Sequence, residues 1–219
     1  MAEEYVRTRN RELGRFAAPL TSTLPAETRG VVNELGFRLF VAGLDQDGPI
    51  AALPADTVEA CTRDSLRHIR GLREHGRAPV PEPSADQIRE AAALAERLAM
   101  FFRKAAQEPV VAFPLFRGCG WLDECAGDVV AQGTLFEVKA GDRNFRSIDL
   151  RQVLAYCALN FASKTYEILR MCLVNPRLGV FLEESLERVC SELAGRPATD
   201  VLGDIVQFVS EPGDQYATG

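Results

Sequence analysis

The first half of the chain carries helical patterns of apolar and polar residues. In VVNELGFRLFVAGL, residues 31–44, apolar side chains fall almost all round a helix, which is typical of a buried one. Residues 1–46 are therefore predicted to be largely helical. A second helix is predicted to end at Gly76, and a third to follow its N-cap Ser84 and to end at Pro109.

Short strands and helices alternate in the second half. Two β-rich runs are separated by Gln132 and Gly133, a pair that favours a hairpin turn. Before these runs, residues 109–120 form an extended apolar segment. After them, residues 147–162 read as a helix, 166–185 as two strands, and 185–195 and 199–210 as one helix each. The order β-β-β-α-β-β-α-α predicts an α/β (α+β) fold after a helical N-terminal half. The predicted regions are 1–83, helical; 84–210, the core; and 211–219, a flexible tail.

Composition narrows the classes of function. The 219 residues include no apolar run of about 18, and MAEEYVRTRNRELGRF is charged, so neither a membrane span nor a secretion signal is expected. We expect a cytoplasmic protein whose six cysteines are reduced thiols. A net charge of −6 argues against a tight, autonomous nucleic-acid binder. Lysine occurs only at 104, 139 and 164, so a lysine on a core strand is notable.

Charged residues on the predicted hairpin form a candidate site. With Gln132 and Gly133 in the turn, Asp128 lies opposite Glu137, and opposed residues share one face of the sheet. Alternation places Lys139 on that face too. Two facing carboxylates repel unless a cation lies between them, and Mg²⁺ prefers carboxylate oxygen while keeping several waters. A neighbouring lysine would then orient the attacking water or stabilise charge on a phosphate.

The helix after the hairpin adds polar groups at helical spacing, namely Gln152, Tyr156 and Asn160. The order Gly127-Asp128, then Glu137-Val138-Lys139, then Gln152-Val153-Leu154-Ala155-Tyr156 resembles the PD-(D/E)XK nuclease superfamily, in particular its branch with a Q-x-x-x-Y helix. The resemblance covers roughly residues 109–182. Gly127 stands where the motif has proline, and residues before 109 are not covered.

The resemblance implies a restriction-endonuclease-like core, with a mixed central sheet flanked by helices. It also implies that this core hydrolyses phosphodiester bonds of nucleic acid, more often DNA, with Mg²⁺ or Mn²⁺. It implies that Asp128 and Glu137 are metal ligands, that Lys139 is the catalytic lysine and that Gln152 assists. A further acid on the preceding helix would be Glu96 or Glu90. By analogy alone, such a protein would serve anti-phage defence or restriction.

Several alternatives stay open at this point. Arg143, Arg146 and Arg151 flank the candidate site and either grip phosphate or lie in a solvated loop with Asp142 and Asp149. Asp123 is the rival for the first acid. Two pairs, Cys119 with Cys125 and His68 with His75, are better explained as buried thiols and as a solvated helix face than as metal sites. A catalytically silent scaffold or binding subunit, with a protein partner or a second copy, is the alternative function.

Overall fold

A computed structural model describes residues 1–44, 46, 48–72, 80–105 and 110–211. Within these ranges the helices are α1 (Ala2–Arg9), α2 (Arg29–Ala42), α3 (Ala55–Gly71), α4 (Ala85–Ala105), α5 (Ser147–Ser163), α6 (Leu186–Ala194) and α7 (Ala198–Ser210). The strands are β1 (Gly14–Arg15), β2 (Val110–Ala112), β3 (Leu115–Phe116), β4 (Cys125–Ala126), β5 (Val129–Ala131), β6 (Thr134–Val138), β7 (Arg170–Asn175) and β8 (Val180–Ser185). The predicted mixed α/β class is confirmed.

A mixed six-stranded sheet, in the order β1-β8-β7-β6-β5-β2, forms the centre of the fold. Strands β6 and β7 are parallel, and the other neighbours are antiparallel. The parallel pair requires a crossover, and α5 supplies it. The short strands β3 and β4 form a separate two-stranded sheet.

Apolar side chains on the two faces of the sheet enter two different cores. Leu135 on β6 and Met171 on β7 pack with α1, α5, α6 and α7, whereas Phe136 and Cys172, one residue further on, pack with α2 and α4. The strands are therefore buried on both faces, which explains why they are apolar at successive positions rather than at alternate ones. The result is a sheet between two helical layers.

The helical prediction for residues 1–46 is wrong in part. Helices α1 and α2 account for its two ends, but β1 lies between them and pairs with β8. Pro19 and Pro25 lie in this intervening segment, and proline disrupts a helix interior because it lacks the backbone N–H donor. Contacts of β1 with β8 and of α2 with α4 cross the predicted boundary after residue 83.

The helix caps bear out the predicted start of α4. The Ser84 hydroxyl accepts the Gln87 N–H, and the Gln87 side chain accepts the Ser84 N–H, a reciprocal capping box. Helix α3 ends at Gly71. Several predicted features lie outside the described residues: the helix ends at Gly76 and Pro109, the residue His75, and the tail beyond Glu211.

All six cysteines are free thiols, as expected. Of the helices in the described ranges, none is both long enough and apolar enough to cross a membrane.

Candidate functional site

The hairpin of β5 and β6 sets the positions of the candidate acids. Gln132 and Gly133 have φ of +47° and +69°, as the two central residues of a type I′ turn require. Val129 pairs with Phe136 and Val130 with Leu135, which is the predicted register. Asp128 immediately precedes β5 and Glu137 follows Phe136 on β6, so the register places them side by side at the end of the hairpin.

Asp128 and Glu137 differ in how their carboxylates are satisfied. Asp128 Oδ2 accepts the Val138 N–H at 2.6 Å, which fixes its side chain across the end of β6. Glu137 is 4% exposed, and its Oε1 accepts from Lys139 Nζ at 2.9 Å. Its other oxygen, Oε2, is buried without a hydrogen-bond partner. A buried carboxylate oxygen without a donor is costly and is a natural position for a cation.

Lys139 connects the hairpin to α5. Its Nζ donates to Gln152 Oε1 at 2.6 Å as well as to Glu137. The Gln152 amide nitrogen donates to Tyr156 Oη at 2.6 Å, and this contact determines which end of the amide faces the lysine. The predicted convergence of Glu137, Lys139 and Gln152 is thus seen as one hydrogen-bonded chain that also includes Tyr156.

Close packing accounts for the glycine at position 127, directly before the first candidate acid. A Cβ atom on Gly127 would lie 2.9 Å from the ring of Phe116. Phe116 is fully buried and stacks on Tyr156, with ring centroids 5.4 Å apart. The stack supports the tyrosine that holds Gln152, so a side chain at 127 would disturb the site indirectly.

The pKa values of both acids are shifted upward. Burial raises the pKa of Asp128 well above its usual value, and the nearby Glu137 carboxylate raises it further. Burial also raises the pKa of Glu137, although Lys139 opposes this shift. One ammonium group therefore does not compensate two crowded carboxylates, and additional positive charge at the site would lower both pKa values.

A cavity of about 320 Å³ opens beside Asp128 and Lys139. Its opposite wall is formed by α2 and α3, which contribute Glu34 and His68 among others. Glu34 Oε2 lies 3.9 Å from His68 Nε2, and its Oε1 accepts from Arg38 Nε at 2.7 Å. Neither Glu34 nor His68 was predicted as a site residue; Glu34 lies in an apolar run and His68 on a solvated face, so no local pattern marks them.

The two acids suggested on α4, Glu90 and Glu96, do not line the cavity. Glu96 accepts the backbone N–H of Ile50, and Glu90 pairs with Arg177 at 2.6 Å and accepts from Ser22. Glu90 and Glu96 therefore bond to neighbouring segments of the chain. The acid in the cavity wall opposite Asp128 is Glu34 of α2.

The three flanking arginines are placed differently from one another. Arg143 lines the cavity and makes two hydrogen bonds to Asp149, at 2.6 and 2.9 Å. Arg146 and Arg151 are exposed at the start of α5 and do not line the cavity. Of these arginines, Arg143 alone borders the space beside Lys139. The rival acid, Asp123, is exposed in the loop between β3 and β4.

The donor set fits a hard cation only with additional oxygen ligands. Within the residues the structure describes, no cluster of three or more histidine, cysteine, aspartate or glutamate side chains could hold a metal ion. Asp128 and Glu137 supply two carboxylates, and the unpartnered Glu137 Oε2 supplies an available oxygen. Mg²⁺ is commonly bound by one or two carboxylates together with waters and substrate phosphate, so this pair fits it.

Comparison with known proteins gave no match to a family model, a curated protein or a solved structure.

Proposed function

We propose that the protein is a metal-dependent nuclease with a restriction-endonuclease-like core of the PD-(D/E)XK type. The observation that carries the proposal is the placement of Asp128, Glu137 and Lys139 at one end of the hairpin, with Gln152 bonded to the lysine. The substrate is nucleic acid, more often DNA for this class, and the setting is cytoplasmic defence or restriction. A protein partner with a basic surface would offset the unfavourable net charge of −6 toward nucleic acid, and a second copy is the other partner to test for.

The polar side chains around the end of the hairpin then have distinct roles. Lys139, already held by Glu137 and Gln152, donates to a phosphate oxygen or to the attacking water as negative charge develops. Gln152 keeps the ammonium group in place because Tyr156 fixes its amide. Arg143 borders the cavity and pairs with Asp149. Its guanidinium group contacts a neighbouring phosphate while it keeps part of this pairing.

Asp128 and Glu137 are the residues that would hold Mg²⁺ or Mn²⁺. The cation would polarise the phosphoryl oxygen and supply an activated water. Its charge would also offset the repulsion that raises the pKa values of the two acids. The Asp128 carboxylate would meet the cation from a fixed position, since it already accepts the Val138 N–H.

Hydrolysis of linear DNA and of RNA with and without Mg²⁺ tests the proposal. Glu137→Gln and Lys139→Ala should each lower the rate by at least about a hundredfold while the far-UV circular dichroism spectrum is unchanged. Glu183→Gln is the matched control, because Glu183 is an exposed strand residue paired with Arg170 at 2.8 Å. Undiminished cleavage by both site variants would rule the assignment out.

A second candidate is a binding subunit that keeps this fold without turnover. The hydrogen bonds of Lys139 favour this function. Its ammonium group already donates to Glu137 and to Gln152, so it is satisfied without a substrate or a metal ion. Titration with Mn²⁺ separates the two functions. Saturable binding that Asp128→Asn abolishes supports the nuclease, and absence of binding supports the scaffold.

A further inference from the structure

An exposed phenylalanine stands next to the candidate acids. Phe113 follows β2, is 40% exposed, and its N–H donates to the Asp128 carbonyl at 3.0 Å. Its φ of +51° lies in the left-handed region, which is uncommon for a bulky residue. Such backbone conformations persist only where the surroundings impose them, and they concentrate at functional sites.

Two residues of α2 hold the Phe113 ring in place. The Arg38 guanidinium lies over it, 5.5 Å from the centroid, and Phe37 contacts it edge to face at 5.3 Å. Arg38 is itself fixed by the hydrogen bond to Glu34. We call Phe37, Arg38 and Phe113 the aromatic shelf. It presents an exposed aromatic ring and a planar cation, the two surfaces on which nucleobases stack.

The aromatic shelf reaches the cavity beside the candidate site through Phe37. Phe37 and Glu34 line the cavity, and so does Asp128, whose carbonyl holds Phe113. The cavity, at about 320 Å³, is at the small end of the range for small-molecule sites. A single nucleotide fits a space of this class, whereas a paired and stacked nucleotide cannot leave its duplex to enter it without unpairing.

We infer that the aromatic shelf binds an unpaired nucleobase next to the scissile phosphate, so that the substrate is a single-stranded or locally unpaired nucleic acid. This inference rests on the proposed nuclease function. The base stacks on Phe113 and Arg38, while its phosphate turns toward Lys139 and Arg143. Stacking does not depend on base identity, because every base has a planar face.

Binding of a short single-stranded DNA containing 2-aminopurine tests the inference. The assay uses Ca²⁺ in place of Mg²⁺, with strand integrity checked on a gel, and compares the same strand in a duplex. The wild type should bind the single strand more tightly and quench its fluorescence. Phe113→Leu should weaken this binding by about fivefold to a hundredfold and abolish the quenching, since stacking one base contributes on that order.

The matched control is Phe208→Leu, the same change at a phenylalanine that is 52% exposed on α7. Retained binding by Phe113→Leu, an equal loss in Phe208→Leu, or equal affinity for the duplex would overturn the inference.

Cleavage separates the two proposals. If Lys139→Ala abolishes cleavage while Phe113→Leu binds normally, the aromatic shelf fails and the nuclease stands. If the wild type stacks the base without cleaving, the nuclease fails and the aromatic shelf stands.

Discussion

At the scale of single residues, the site is defined by an imbalance of charge. Asp128 and Glu137 lie together, and Lys139 is the ammonium group that contacts Glu137 directly. A structural ion pair on a strand would match one acid with one base and leave no buried oxygen unpaired. The second acid and the unpartnered Glu137 Oε2 therefore support the proposed cation position over a structural ion pair.

Replacing Asp128 by asparagine should stabilise the metal-free protein at neutral pH. Burial raises the pKa of Asp128, so the folded state holds its proton more tightly than the unfolded chain does. The resulting stability is present at acid pH and is lost as the pH rises through the raised pKa. Asparagine does not ionise, and its carbonyl can still accept the Val138 N–H.

Thermal melts in EDTA from about pH 4 to about pH 8, spanning the ordinary carboxyl range and above, measure this effect. The variant should exceed the wild type in melting temperature by several degrees near neutrality and by less at acid pH. Asp123→Asn, an exposed change, serves as the control. A difference that is the same at every pH would contradict the prediction.

At the scale of elements, the hairpin was predictable and the cavity wall was not. Gln132-Gly133 fixes the turn, and the turn fixes which residues oppose each other, so Asp128 and Glu137 follow from local sequence. The α2–α3 wall depends on how helices pack across the sheet. Nothing in the sequence around Glu34 indicates that it faces Asp128, and Glu96 has an equally suitable local pattern but bonds to Ile50.

Arg177 joins the β7–β8 turn to the segment after β6 and to helices α2 and α4, and its loss should be strongly destabilising. It lies in the β7–β8 turn, is 0% exposed, and donates to the Ala140 carbonyl at 2.9 Å, to Glu90 on α4 and to Asn33 on α2. Arg177→Met would leave the Glu90 carboxylate without this cationic partner. Removing one partner of a buried pair costs about 3–5 kcal/mol.

Urea unfolding followed by circular dichroism gives the free energy of unfolding of this variant. Arg170→Met is the control, because Arg170 pairs with Glu183 on the surface and should change stability by no more than about 1 kcal/mol. Equal changes in the two variants would show that the Arg177 contacts do not hold these elements together.

At the scale of the whole molecule, the site lies where the two helical layers and the sheet meet. The α5 layer supplies Gln152, the α2 layer supplies Glu34, and β5–β6 supply the acids. A cation bound at this junction would bind the folded chain and not the unfolded one, because the carboxylates are brought together only by folding. Metal binding and global stability should therefore be coupled.

Mn²⁺ should raise the melting temperature of the wild type. At a free concentration one hundred times Kd the folded state gains about 2.7 kcal/mol, which is about 5–10 °C for a chain of this size. Asp128→Asn and Glu137→Gln should lose the shift. Glu183→Gln should keep it, since Glu183 pairs with Arg170, which lies beside the turn of the hairpin and not beside the acids at its other end. A shift that survives both site variants would place the cation elsewhere, and absence of a shift in the wild type would favour the scaffold, because a subunit without turnover has no need to gather a cation at this pair.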